Sequence, residues 1–226
     1  GAIRPVSISF GTCSWKFPSW VGTVYSAEYR YAVDYLPEYA RSFETAEIDS
    51  WFYHLPSKSE AESYRDAVSG SFRFTCKVPR DLTLTHLRGK KELTPNESFL
   101  SVPLFEEFLE ATEPLHSQID AMMFQFEYLN RKKMSGLAEF LQRFGDFVSR
   151  VPAGFPLALE IRNGNYLGSE YFGFLGEHRI IPVLVEKQYM PPVTSVYADF
   201  AEQLGETVVF RLMGGDRKEI EELSGG

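Results

Sequence analysis

Cysteine and histidine are scarce in this chain, and each scarcity removes a class of chemistry. Of its 226 residues, two are cysteines and four are histidines. Cys13 and Cys76 have neither metal-binding nor redox spacing, so no disulfide framework is expected. Both read as small apolar side chains in a reducing, cytoplasmic setting. His54, His86, His116 and His178 include no i, i+4 pair, and a zinc site needs several imidazoles together, so no metal is assigned. Long apolar runs are missing too: none approaches the roughly 20 residues of a membrane helix, and residues 1–5 lack the build of a signal peptide. No membrane partner is expected. Repeats, low-complexity tracts and linkers are also wanting, which predicts one domain over residues 1–226. Positive charge is in the minority, with 23 Lys and Arg against 31 Asp and Glu and a net charge of −8. That balance disfavours a broad nucleic-acid face and leaves room for a local basic pocket.

What is present is an alternation of two kinds of segment. Short β-branched or aromatic runs at 7–13, 45–51, 72–78, 121–126, 157–162, 182–186 and 207–213 read as strands. Between them lie helical patterns at 34–43, 57–68, 104–115, 135–151, 170–177 and 194–204. Leu36, Tyr39, Ala40 and Phe43 share one stripe, and Ser57-Lys58-Ser59-Glu60 has capping-box spacing. Strands alternating with helices predict an α/β fold around a parallel sheet. Seven strand–helix units are readable, one short of a TIM-type (β/α) barrel, so the eighth is expected to be missing or truncated at the C-terminus.

Side-chain parity sharpens this. Successive strand residues point to opposite faces. Leu157, Leu159 and Ile161 oppose Ala158, Glu160 and Arg162; Ala46 and Ile48 oppose Glu47 and Asp49; Phe72, Phe74, Cys76 and Val78 oppose Arg73, Thr75 and Lys77. Met122, Phe124 and Phe126 oppose Met123 and Gln125, while Arg211 stands between apolar neighbours and Glu186 closes an apolar run. An open sheet covered on both sides would be apolar on both faces. One apolar face and one that turns polar toward the strand C-termini suit a barrel, whose sites lie at that end. Glu47, Asp49, Lys77, Gln125, Glu160, Arg162, Glu186 and Arg211 are therefore expected to converge at the mouth. A competing reading has them fill the interior as a salt-bridge lattice, at a cost of several kcal/mol per buried ion unless each is paired.

The same residues carry a resemblance. Gly11-Thr12-Cys13-Ser14-Trp15 with Trp20-Val21-Gly22 and Tyr25, Glu47-Ile48-Asp49-Ser50 with Phe52-Tyr53 and Leu55-Pro56, and Phe72 to Lys77 with Thr85-His86 all fit one pattern. So do Phe124-Gln125-Phe126, Leu159-Glu160-Ile161-Arg162, and Phe210-Arg211-Leu212 with Gly214. Over nearly its whole length the chain resembles the YecE-like barrels of domain-of-unknown-function 72. The resemblance implies a TIM-type barrel, similar in fold to the xylose-isomerase and endonuclease IV-like barrels, and implies no reaction. Members usually carry Asn where Asp49 stands, His where Asn163 and Met213 stand, and Trp where Tyr166 stands. They also continue into a further strand ending in an Asn-Asn pair.

Three functional readings follow. The first is an enzyme acting on a small anionic or phosphorylated, sugar- or nucleotide-like molecule. In it Lys77, Arg162 and Arg211, joined by His86, hold the anion; Glu47 or Glu160 transfers a proton; Gln125 orients; Trp15 or Tyr53 stacks; and Asp49 and Glu186 complete the contacts. The second is a non-catalytic module for single-stranded or damaged nucleic acid or another ligand. The third is a glycoside hydrolase using Glu47 and Glu160 as paired carboxylates. No cofactor is implied, and the sequence leaves open whether the protein is an enzyme.

Overall fold

The computed structural model describes residues 6–212. Seven parallel strands run in sequential order: β1 (Gly11–Cys13), β2 (Thr45–Ile48), β3 (Arg73–Lys77), β4 (Ile119–Gln125), β5 (Leu157–Glu160), β6 (Ile181–Glu186) and β7 (Val209–Leu212). Six helices cross over between them: α1 (Ala32–Ser42), α2 (Lys58–Ala67), α3 (Val102–Thr112), α4 (Leu137–Arg150), α5 (Ser169–His178) and α6 (Val193–Phe200). A strand order that never reverses curls the sheet one way, as in a (β/α) barrel. Among the described residues β1 and β7 are not hydrogen-bonded to one another, so the sheet is a curled partial barrel. Met213, expected to end the last strand, lies outside the described residues.

Local chemistry sets the element boundaries. Ser57 accepts the Glu60 backbone N–H at 3.2 Å and opens α2, as the capping-box spacing predicts. Ser101 does the same for α3 through Leu104. Phe140, Leu141, Phe144 and Phe147 recur at helical spacing and form the buried stripe of α4. Most strands are shorter than the apolar runs suggest. Residues 49–52 leave β2 as a tight turn with a 3-10 helix at Ser50–Phe52, and β5 stops at Glu160. Gly11 is held by contact: a Cβ there would sit 2.0 Å from the Thr45 carbonyl oxygen, so no other residue fits this register.

Two apolar layers result. The outer one, between sheet and helices, is largely aromatic; Phe124 meets Phe105, Phe144 and Phe147 at ring centroid distances of 5.4–5.5 Å. The inner one is small, built from Ala121, Met123, Ala158 and Val183 with Ile181 and Val209 against them. A register shift between β3 and β4 inserts Asp120, which takes Arg73 at 2.6 Å at the N-terminal rim. Above the inner layer, toward the strand C-termini, inward side chains become polar.

Candidate functional site

Arg211 organises that polar layer. From β7 it reaches across the interior: Nε donates to Glu47 Oε1 at 2.7 Å, Nη2 to Glu47 Oε2 at 3.2 Å, and Nη1 to Glu160 Oε1 at 2.6 Å. Nη1 also reaches Gln125 Oε1 at 3.3 Å, and Nη2 lies 3.7 Å from Cys13 Sγ. The register explains the meeting, since Cys13 pairs with Glu47, Gln125 with Glu160, and Val185 with Arg211. The outer oxygen of Glu160 binds Arg162 Nε and Nη2, both at 2.9 Å. Beside this chain of charges, Lys77 Nζ lies 2.8 Å from Asp49 Oδ1.

Burial separates these groups. The side chains of Glu47 and Glu160 are 7% and 1% exposed, whereas that of Asp49 is 33% exposed. Burial pushes the Glu47 carboxyl up, and Arg211 only partly offsets it. Burial also opposes Asp49 ionisation, but hydrogen bonding with Glu47 and Lys77 and the Lys77 charge hold its carboxyl below the usual range. The two acids on one strand end are thus driven apart, the pattern by which proton donors and acceptors are told from each other. Glu47 and Glu160 have the Arg211 guanidinium between them. No gap is left there for a glycosidic bond or its attacking water, which argues against the paired-carboxylate hydrolase.

Several expected residues sit elsewhere. Glu186 is corrected: the register places Val183 and Val185 inward, so Glu186 points outward with Leu184. There its Oε2 accepts the Val193 N–H at 3.1 Å and caps α6. Trp15 is packed away, its indole N–H donating to the Ala32 carbonyl at 2.8 Å and its ring edge-on to Tyr64. His86 bonds Thr85 Oγ1 through Nδ1 at 2.9 Å, at the foot of a loop excursion where it bridges to Pro95. Tyr53 stands at the rim, with the Arg80 guanidinium 5.6 Å above its ring. Among the described residues no group of three or more His, Cys, Asp or Glu is placed to hold a metal ion.

Next to the charged layer a cavity of about 630 Å³ opens to solvent. Gln125 and Arg162 form part of its wall, and Phe52, which carries Lys77 5.2 Å from its ring centroid, forms another. Four cations line it, Arg80, Arg88, Arg162 and Lys187, against one carboxylate, Glu127, which is itself bound by Lys133 at 2.7 Å.

The family model described as "Protein of unknown function DUF72" matches residues 9–224. The chain belongs to the DUF72 family. A solved DUF72 protein from Enterococcus faecalis is 19% identical, with a TM-score of 0.64 over 96% of this chain and 77% of that one. Another from Thermotoga maritima is 22% identical, with a TM-score of 0.64 over 94% and 76%. At these identities the likeness is one of fold. No curated protein matches the chain.

Two features of this DUF72 chain escape a strand-by-strand reading. Arg80, Arg88, Lys187, Tyr128 and Tyr189 reach the cavity from the loops after β3, β4 and β6, where no periodicity announces a direction. The one available signal is position, since each follows the C-terminal end of a parallel strand. The other feature is Cys13, whose thiol faces Glu47 and Arg211 at the open side of the sheet. Desolvation and the Glu47 charge push it up to about 11. The thiolate is the reactive form, so at pH 8 iodoacetamide is expected to modify Cys13 on the order of 100-fold slower than a free thiol. The rate should climb about tenfold per pH unit toward the thiol's own titration. Mass spectrometry of a pH series checks this; rapid labelling at neutral pH would contradict the described surroundings.

Proposed function

We propose that the cavity binds a small phosphorylated, sugar- or nucleotide-like molecule, and that the adjoining Asp49–Lys77 pair serves an enzyme as its proton-transfer group. The observation that carries this reading is the charge of the cavity wall, four cations facing one already neutralised carboxylate in a protein of net charge −8. Such a concentration of like charge is held at a cost unless an anion joins it. Arg162 has one edge committed to Glu160, which fixes its plane and leaves the rest of the guanidinium toward the cavity. Lys187 feels the same environment: desolvation and the neighbouring Arg162 charge lower its pKa, and the negative charge of a bound phosphate would offset both. Phe52, Tyr128 and Tyr189 offer rings for a sugar or base. Asp49, ionised and more accessible than Glu47 or Glu160, is the inner carboxylate suited to accept a proton.

Calorimetric titration with AMP, ribose 5-phosphate and adenosine tests the reading. Both phosphates should bind and adenosine should not. Arg80→Ala combined with Lys187→Ala should weaken AMP at least about tenfold, since one charge-assisted hydrogen bond contributes about 1.5–3 kcal/mol. Equal affinity for adenosine and AMP, or an unaffected double variant, overturns it.

A further inference from the structure

The positive charge of the mouth extends past the four cations that line the cavity. The loops after β3 to β6, residues 78–101, 126–136, 161–168 and 187–192, hold nine of the chain's 23 Lys and Arg but only four of its 31 carboxylates. All four loops leave the C-terminal ends of neighbouring parallel strands, so this charge lies at one end of the molecule. Most of the chain's carboxylates fall outside these four loops.

Two of these loops present their cations outward. In the first, Leu87 donates its N–H to the Thr94 carbonyl at 2.8 Å, and His86 bridges antiparallel to Pro95. The residues between them turn back on themselves through Gly89, whose φ of +72° suits a residue without a Cβ. Arg88, Lys90 and Lys91 are exposed on that excursion. In the second, Asn130 Oδ1 accepts the N–H groups of Lys132 and Lys133 at 3.0 and 3.1 Å, fixing a turn on which Arg131 and Lys132 are exposed. Among the described residues no carboxylate pairs with Arg88, Lys90, Lys91, Arg131 or Lys132.

Aromatic rings stand among them. Tyr53, Tyr128 and Tyr189 are 68%, 62% and 94% exposed, so the fold gains little from them. Exposed rings interleaved with unpaired cations match the needs of a nucleic acid whose bases are free to stack, since cations follow the backbone and rings take the bases. A duplex keeps its bases stacked internally and gives such rings nothing to hold.

We propose that this face binds single-stranded nucleic acid, with one nucleotide seated in the cavity and flanking phosphates carried by the 88–91 and 131–132 loops. The proposal rests on the cavity as a phosphate site and names its partner as a polymer, of which AMP is one unit.

Fluorescence anisotropy with a labelled twelve-nucleotide oligothymidylate, alongside AMP titration, tests it. Five exposed cations contacting a single strand give a log–log salt slope of about −3.5, or an affinity loss of about 100-fold between about 50 and about 200 mM salt. Exchanging Lys90, Lys91, Arg131 and Lys132 for Gln removes charges that do not line the cavity. This variant should lose at least about tenfold in oligonucleotide affinity and about 3 from the slope, with AMP binding unchanged. Tyr128→Ala should cost the oligonucleotide about tenfold, the scale of one stacked base. If the four-fold variant binds the oligonucleotide as before, or a duplex of the same length binds as well as the single strand, the proposal is overturned. AMP binding without oligonucleotide binding overturns it and leaves the cavity reading standing. Oligonucleotide binding without AMP binding removes the cavity reading and keeps the surface.

Discussion

Arg211→Ala is expected to lower stability by about 3–5 kcal/mol, because it strands Glu47 and Glu160 in the interior without their shared cation. For a chain of this size that is a fall in melting temperature of about 10 °C. Burial opposes the Arg211 charge, and the Glu160 and Glu47 carboxylates outweigh it, so the guanidinium is protonated throughout the accessible pH range. Arg211→Lys should fall between the two, since an ammonium cannot reproduce the two-pronged hold on Glu47. The informative companion is a quadruple variant, Arg211→Met with Glu47→Gln, Glu160→Leu and Arg162→Met, since Glu160 also holds Arg162. It should regain most of the loss, because replacing a whole buried ionic group is far milder than removing one member. Thermal and urea denaturation read both. An Arg211→Ala protein as stable as the parent would show that this lattice does not hold the inner layer together.

Phe124→Ala should cost about 3–5 kcal/mol by emptying the centre of the outer aromatic layer, where Phe105, Phe144 and Phe147 close around it. The urea midpoint should shift while the slope of the transition is kept. The contrast is with Tyr128→Ala, four residues further along, past the strand end and exposed, which should change stability by less than about 0.5 kcal/mol. A large effect at Tyr128 would mean that the ring serves folding and would weaken its assignment to a ligand.

Parity made Glu47, Lys77, Gln125, Glu160 and Arg211 legible as one group, because parallel pairing keeps alternate side chains of neighbouring strands on the same side. It failed at Glu186 for the same reason that it works: a displacement of one residue reverses direction, and Val185, not Glu186, stands opposite Arg211. Trp15 was misleading because an aromatic side chain after a strand reads alike whether it meets a ligand or packs under a loop, and only its bond to Ala32 decides. The cations at 80, 88 and 187 were hidden by the opposite problem. Loops have no period, so their direction is set by tertiary structure alone. Net charge carries no location either, since a sum of −8 over the whole chain does not say where its 23 Lys and Arg lie. The competing view of the charges as an internal lattice describes Arg211, Glu47 and Glu160, while Arg162 lies where that lattice meets the cavity and Asp49 pairs with Lys77.

The reach of Arg211 also fixes an order of events during synthesis. Its partners lie 164 and 51 positions earlier in the chain. At about 5–20 residues per second, a nascent polypeptide waits roughly 3–10 s after Glu160 has been made before the guanidinium exists to meet it. Until then the half-built sheet carries Glu47 without its cation and Glu160 with Arg162 alone, so burying Glu47 as an anion is penalised. The inner polar layer is therefore complete only once the seventh strand has been made.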